Sequence, residues 1–120
     1  MTDATPDTIL VVEDDPIVRM LIVDVLEELE FKVLEAEDLK QALAILTDTA
    51  VSLQLMMTDV GLPDGSGLRL ADEALALRAQ LPILIASGYA DSVENPPGTE
   101  VLGKPFSIDQ LRDKVRAMLA

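Results

Sequence analysis

Residues 53–59 read LQLMMTD, a short apolar run that ends at one carboxylate, Asp59, and soon reaches the turn sequence GLPDG at residues 61–65. A short apolar run bounded by turn signals is typical of a buried strand. Ligands of open α/β sheets bind outside the carboxyl ends of such strands, which is where this run delivers its acid. Asp59 is therefore the first candidate for chemistry, although Asp before Gly and Pro often only caps a turn.

Four further apolar segments predict strands at residues 9–12, 32–36, 82–87 and 101–103. Between most of these segments and after the last one, apolar residues recur with helical spacing. Strands that alternate with helices through short connections imply right-handed crossovers and a parallel sheet covered on both faces. The sequence therefore predicts a three-layer α/β domain with a five-stranded parallel sheet at residues 9–120, preceded by a flexible tail at residues 1–8.

Capping residues mark where three of the helices begin. Asp15 is placed to cap the first helix, and Pro16 follows at the first helical position, where its missing N–H does no harm. Asp38 is placed to cap the second helix. Ser107 and Gln110 have the spacing of a capping box before the last helix.

The two remaining helices have different sequence signals. Apolar residues at helical spacing mark a third helix at residues 68–79, which should stop before Pro82. Residues 88–100 would have to hold the fourth helix, but they contain Pro96, Pro97 and Gly98. Because proline removes backbone donors and restricts the residue before it, we predict a short or irregular helix around residues 91–95.

Composition limits the partners of the chain. Its 120 residues suit one domain, and its net charge of −13 opposes direct binding to nucleic acid. A divalent metal or a cationic partner is favoured instead. The absence of cysteine fits a reducing compartment, and neither a signal peptide nor a membrane span is evident, so we expect a cytoplasmic protein.

The predicted sheet brings polar side chains from several strand ends to one edge. Glu13 and Asp14 follow the first strand, Asp59 ends the third, Ser87 ends the fourth and Lys104 follows the fifth. Crowded carboxylates stay ionised only beside a cation, and Mg²⁺ or Mn²⁺ suits oxygen ligands better than zinc does in a site without His or Cys. Taken singly, each residue also fits an ordinary role in a solvated loop, a cap or an exposed surface.

Four segments together resemble the receiver domain of two-component response regulators. They are LVVEDDP at residues 10–16, TDVGLPDGSG at 58–67, ASG at 86–88 and GKPF at 103–106. The resemblance extends from Ile9 to the C-terminus and implies a flavodoxin-like (βα)5 fold. It identifies Asp59 as the phosphoacceptor that attacks a phosphoryl group on a histidine of a sensor kinase or phosphotransfer protein.

The resemblance also implies the remaining site roles. Asp14 and Asp59 would bind Mg²⁺ directly, Glu13 would act through a water, and the backbone carbonyl of Gly61 would complete the protein ligands. Around the phosphoryl group, the Ser87 hydroxyl would donate a hydrogen bond and Lys104 would form an ion pair. In receivers the peptide bond corresponding to Lys104–Pro105 is usually cis.

One position departs from the family pattern. Receivers usually carry Tyr or Phe where this chain has Val101, and that aromatic side chain swings inward on phosphorylation. Valine cannot make this movement, so either the signal leaves by another route or Tyr89 substitutes. Tyr89 lies two residues beyond Ser87, and we expect it either to report or shield the phosphoryl group or to be an ordinary loop residue.

The leading interpretation is a signalling module that stands alone, with a fragment of a hybrid kinase or longer regulator as the alternative. We expect its upstream partner to contact the first helix and the Pro105–Phe106 loop, and its downstream target is unknown. Three other classes were weighed: an aspartyl-phosphate hydrolase, a flavodoxin-like cofactor binder and a receiver that works without phosphorylation. The hydrolase is disfavoured because Gly61 stands where such enzymes carry a second acid, and the cofactor binder because the acids at residues 13–15 would repel phosphate.

Overall fold

The sheet is built from short segments rich in Ile, Leu, Val and Met. The computed structural model describes residues 7–88 and 96–119. Its strands are β1 (Thr8–Val12), β2 (Lys32–Ala36), β3 (Leu55–Asp59), β4 (Gly61–Leu62), β5 (Gly65–Ser66), β6 (Ile83–Ser87) and β7 (Thr99–Gly103). The five longer strands form one parallel sheet in the order β2-β1-β3-β6-β7. This order confirms the predicted (βα)5 flavodoxin-like sheet and puts β1 and β3 side by side near its centre.

Four helices cover the sheet in the described part of the chain. They are α1 (Pro16–Glu28), α2 (Leu39–Thr47), α3 (Gly67–Leu77) and α4 (Ile108–Leu119). The predicted caps of α1 and α2 are present, since the Asp15 carboxylate accepts the N–H groups of Ile17 and Val18, and Asp38 accepts that of Gln41. Local capping chemistry therefore fixes where these two helices begin.

The start of α4 follows the predicted capping box. The Ser107 N–H donates to Gln110 Oε1 at 2.8 Å, and the Gln110 N–H donates to Ser107 Oγ at 3.0 Å. Each side chain thus satisfies a backbone donor of the other residue.

Two apolar clusters form the core, one on each face of the sheet. Leu10 and Val12 of β1 pack on the face covered by α2 and α3, whereas Ile9 and Val11 pack on the face covered by α1 and α4. A strand buried on both faces needs apolar residues at every position, which explains the uninterrupted apolar run of β1. The three-layer arrangement is as predicted.

The first strand starts one residue earlier than predicted. Thr8 belongs to β1 and not to the predicted tail, since it pairs with Lys32 of β2. Its N–H donates to Gln54 Oε1 at 3.0 Å and its carbonyl accepts the Gln54 N–H at 2.8 Å. These bonds also hold Gln54 just outside β3, which begins at Leu55 and not at Leu53.

Two other boundaries differ from the predictions by two residues each. Strand β7 begins at Thr99, two residues before the predicted start. Helix α3 ends at Leu77 and not at Ala79, because Arg78 leaves helical geometry and its guanidinium donates to the carbonyls of Leu46 and Asp48. Such long-range side-chain bonds are invisible to periodicity in the sequence.

Several predictions fall on residues that the structure does not describe. These are the tail at residues 1–6, the fourth helix around residues 91–95, and Tyr89. Among the described residues, no helix is long and apolar enough to span a membrane.

Candidate functional site

Three carboxylates meet at the carboxyl edge of the sheet. Strands β1 and β3 are paired in register, with Val12 opposite Thr58. The next residues along the two strand directions are Glu13 and Asp59, so these two acids lie on neighbouring segments. Glu13, Asp14 and Asp59 each direct a carboxylate oxygen into one group, in which all three oxygens lie within 4.8 Å of one another. Glu13 is only 3% exposed, whereas Asp14 is open to solvent.

Lys104 reaches this group from the loop after β7. Its Nζ donates to Asp59 Oδ1 at 2.8 Å and to Glu13 Oε1 at 3.3 Å. The backbone N–H of Lys104 donates to the Ser87 carbonyl at 2.7 Å, which fixes the loop to the end of β6. The Lys104–Pro105 peptide bond is cis, as the resemblance implied.

Burial and the neighbouring groups shift the pKa of Glu13 in different directions. Burial raises the pKa of the Glu13 carboxyl, and the neighbouring Asp59 charge adds to that effect. The Asp15 N–H, which donates to Glu13 Oε2 at 3.2 Å, and the Lys104 charge lower it without overcoming burial. Burial therefore favours the neutral form of Glu13, and a cation placed beside it would favour the ionised form.

At Lys104 the neighbouring acids affect the pKa more than burial does. Burial acts to lower the Lys104 pKa, but the hydrogen bond to Asp59 and the charges of Glu13 and Asp59 outweigh it and raise the pKa above the ordinary value. Lys104 is therefore a permanent cation at neutral pH, held within hydrogen-bonding distance of two of the three acids.

The donor set fits a hard divalent cation. All three side chains offer oxygen, and the chain contains neither His nor Cys. Oxygen-only sites that combine a few carboxylates with water favour Mg²⁺ or Mn²⁺ over zinc. Lys104 alone supplies one positive charge against three acids, so a further cation would complete the neutralisation.

The remaining site residues lie along the same edge. Ser87 is buried at the end of β6, one position beyond the pairing of Asp59 with Ala86. Gly61 stands two residues after Asp59 in β4, and the space where a side chain would extend is open to 4 Å. Val101 is half-buried in β7, opposite Ile85, and packs on the core cluster covered by α2 and α3.

Comparison with known proteins decides the family. The family described as "Response regulator receiver domain" matches residues 9–116. The response regulator receiver protein CpdR of Brucella abortus (strain 2308) is 30% identical over 92% of this chain and 95% of that protein. The chain is a response regulator receiver domain.

Longer proteins and solved structures show the same relationship. The receiver domain is 32% identical to part of the sensor kinase CckA of Brucella abortus (strain 2308), over 93% of this chain and 12% of that protein. The crystal structure of the response regulator TrrA from Thermotoga maritima, in complex with Mg(2+)-BeF, superposes with a TM-score of 0.82 at 28% identity, covering 94% of this chain and 99% of that one.

The receiver domain is thus a signalling module of two-component systems, and its family is one of phosphoacceptors. It spans 12% of CckA and about half of two transcriptional regulatory proteins that it matches, 50% and 51% of their lengths. The activities of those longer proteins as wholes therefore do not transfer to this chain.

An apolar groove opens beside the site, between α1 and α4. Its volume is about 440 Å³, and its lining includes Val18, Leu21, Ile22, Pro105, Phe106 and Ile108. Ile17 and Met20 add exposed apolar surface on α1. The groove coincides with the partner surface predicted from the sequence.

Two residues that contact the site loops were missed by the sequence analysis. Arg19 on α1 donates to the Glu13 carbonyl, and Asp64 in the turn after β4 accepts two N–H groups of α2. Arg19 has the spacing of an ordinary helix-surface residue, and Asp64 reads as a turn residue. Only the folded chain shows what their side chains reach.

Proposed function

We propose that Asp59 accepts a phosphoryl group from a phosphohistidine of a sensor kinase or phosphotransfer protein, and that phosphorylation changes which partner the receiver domain binds. One contact carries this proposal: the 2.8 Å bond between Lys104 Nζ and Asp59 Oδ1, formed beside two further carboxylates. A half-buried acid with a fixed ammonium and a cation site is equipped for phosphoryl transfer, which depends on positioning and charge neutralisation.

The transfer requires one bond to form and one to break. A carboxylate oxygen of Asp59 attacks phosphorus, and the P–N bond to the donor histidine breaks as the departing imidazole takes up a proton. Lys104 would then exchange its bond to the free carboxylate for one to a phosphoryl oxygen. Ser87, one position beyond Asp59 across the sheet, would donate its hydroxyl to another phosphoryl oxygen.

Metal binding would fall to Asp14 and Asp59 directly, to Glu13 through a water, and to the Gly61 carbonyl. Bound Mg²⁺ or Mn²⁺ would supply charge neutralisation at the transferring oxygens. The oxygen-only donor group supports this assignment. The same groups would let the domain assist both its own phosphorylation and the hydrolysis of its acyl phosphate, without turning over a separate substrate.

The groove between α1 and α4 would receive the helical protein that carries the phosphohistidine. It adjoins the site through Lys104, which lines the groove and donates to Asp59 and Glu13 in the site. The net charge of −13 disfavours direct contact with nucleic acid, so the downstream target is proposed to be a protein. We also propose a cytoplasmic location, which fits a chain without cysteine.

The direct test is phosphorylation by acetyl phosphate with Mg²⁺, followed by intact-mass measurement. The parent protein should gain one phosphoryl group, and Asp59→Asn should gain none. Asp72→Asn, which changes an exposed acid on α3, is the matched control and should be labelled like the parent. Full labelling of Asp59→Asn would move the acceptor to another residue, and no labelling of the parent would contradict the proposed function.

A further inference from the structure

Two loops that would hold the metal are attached to the same part of the fold. We define the β2–α2 corner as residues 35–40, which join the end of β2 to the first turn of α2 and contribute no carboxylate to the site. We propose that Arg19 and Asp64 are positioning residues that fasten the two ligand-bearing loops to this corner and so set the affinity for Mg²⁺. This inference rests on the proposed function.

Arg19 fastens the loop that carries Glu13. Its Nη1 donates to the Glu13 carbonyl at 2.7 Å, its Nε donates to Glu35 Oε1 at 3.0 Å, and its Nη2 lies 3.5 Å from Glu37 Oε1. On the other side of the same residue, the Glu13 N–H donates to the Ala36 carbonyl at 3.0 Å. The backbone of Glu13 is therefore held to the corner at both its N–H and its carbonyl.

The contacts of Arg19 differ in strength. The carboxylates of Glu35 and Glu37 lie in solvent, so their ion pairs with Arg19 contribute little by themselves. The Arg19 side chain is only 14% exposed, and its bond to the Glu13 carbonyl is charge-assisted and short. We conclude that the two glutamates orient the planar guanidinium, which in turn fixes Glu13.

Asp64 fastens the loop that carries Gly61. Strands β4 and β5 form a small hairpin in which Gly61 pairs with Ser66, and Asp64 lies at its tip. The two carboxylate oxygens of Asp64 accept the N–H groups of Leu39 at 2.8 Å and Lys40 at 3.1 Å. The tip of the hairpin is thereby bound to the first turn of α2, 25 residues away in the sequence.

Close packing reinforces this attachment. A side-chain carbon built on Gly65 would come within 2.8 Å of Leu39 Cδ2, so the hairpin lies directly against the first residue of α2. At the base of the hairpin, the Ser66 hydroxyl accepts the Leu68 N–H and caps α3. The position of the Gly61 carbonyl is thus set from both ends of the hairpin.

Such support matters because Mg²⁺ requires nearly ideal octahedral geometry. Removing groups that orient the ligands of a metal typically lowers affinity by roughly 10- to 100-fold. Arg19 and Asp64 contribute no atom to the carboxylate group itself. Their loss should therefore change Mg²⁺ binding through the positions of Glu13 and Gly61, and controls that remove the same charge elsewhere account for the change in net charge.

The experiment is calorimetric titration of the intact protein with MgCl₂, with thermal unfolding measured on the same samples. Arg19→Ala and Asp64→Ala should each lower Mg²⁺ affinity by roughly tenfold. Arg78→Ala is the control for Arg19, because Arg78 likewise donates to two backbone carbonyls, Leu46 and Asp48, at the far end of α2. Arg78→Ala should lose stability and keep the parent affinity.

The control for Asp64 is Asp48→Ala. Asp48 also accepts a backbone N–H through its carboxylate, that of Ala50, but at the far end of α2 and outside the corner. It should lower stability without changing affinity. If Arg19→Ala does not fold, Arg19→Lys is the second variant. Lysine keeps the charge but lacks the planar guanidinium that bonds a carbonyl and a carboxylate at the same time, so this variant should also bind Mg²⁺ more weakly.

Three results would contradict the inference, and they are distinguishable. If folded Arg19 and Asp64 variants bind Mg²⁺ like the parent, the positioning roles are wrong while the proposed function stands. If the Arg78 and Asp48 variants lose affinity equally, affinity simply follows stability and positioning is again excluded. If the parent itself does not bind Mg²⁺, the metal-dependent proposed function fails and the inference fails with it.

Discussion

Lys104 and Asp59 form a direct ion pair of 2.8 Å although 45 residues separate them in the sequence. The pair forms because β3 and β7 run parallel on either side of β6, so both chains end at the same edge of the sheet. The burial that acts to lower the Lys104 pKa is outweighed by the two acids it contacts. Lys104 therefore brings a fixed positive charge to the acid that is proposed to be phosphorylated.

Replacing this charge should slow phosphorylation. We expect Lys104→Met to lower the rate of labelling by acetyl phosphate by roughly a hundredfold, the usual cost of removing one preorganised group that stabilises transition-state charge. Lys114→Met is the control, because Lys114 pairs with Glu100 away from the site. Mass spectrometry over a time course measures both rates. Equal rates for Lys104→Met and the parent would exclude a role for Lys104 in the transfer.

Metal binding should stabilise the fold. A ligand that binds only the native state at about 100 times its dissociation constant adds about 2.7 kcal/mol to the free energy of unfolding. We expect MgCl₂ to raise the Tm of the parent and to have little effect on Asp14→Asn, which keeps its shape but loses one charged ligand. A Tm of Asp14→Asn that rises as much as that of the parent would place the metal elsewhere.

The sequence predicts those parts of the fold whose causes are local. Asp15, Asp38 and the Ser107–Gln110 box each bond within three residues, so their type and spacing were sufficient to place the starts of three helices. The continuous apolar run of β1 likewise reports its burial on both faces. Strand boundaries were less accurate, because Thr8 is held by pairing with Lys32 of β2 and by Gln54, which lies 46 residues away.

The candidate site likewise has contacts that the sequence predicts and contacts that it does not. The convergence of Glu13, Asp14, Asp59 and Lys104 follows from the parallel sheet, and the structure shows it. The contacts that hold the site loops in place cannot be predicted from the sheet, since Asp64 reaches α2 across 25 residues and Arg19 reaches β2 across 16. No periodicity or motif encodes these contacts, whereas they are plain once the helices and loops are in place.

Gly61 and Gly67, which flank the turn after Asp59, should differ in how far substitution by alanine lowers stability. A side-chain carbon on Gly67 would lie 1.9 Å from the Asp59 carbonyl oxygen, so Gly67→Ala must displace backbone. We expect it to lower the free energy of unfolding by about 3 kcal/mol. At Gly61 the corresponding space is open, and Gly61→Ala should change stability by less than about 0.5 kcal/mol. Urea denaturation of both variants provides the comparison.

The acid sensitivity of the fold should depend in part on Asp64. The Leu39 N–H, the first of two helix donors that it accepts, lowers the pKa of the Asp64 carboxyl below its ordinary value. Its contribution to stability is therefore fully present above the unfolded pKa of about 3.9 and is lost as the pH falls through the lower folded value. The stability difference between the parent and Asp64→Asn should be constant near neutral pH and shrink in acid. A difference that does not change with pH would show that the carboxylate charge is irrelevant.

The groove between α1 and α4 should matter for the phosphodonor protein and not for the chemistry. Leu21 lines the groove and is 52% exposed, whereas Leu77 on α3 is 49% exposed and lies outside it. A charge in an apolar contact between proteins commonly costs tenfold or more, so we expect Leu21→Glu to slow transfer from a phosphorylated histidine protein by roughly tenfold. Labelling by acetyl phosphate should be unchanged, because that donor needs no docking surface. Leu77→Glu should behave like the parent with both donors, and equal slowing by the two variants would assign the effect to charge and not to docking.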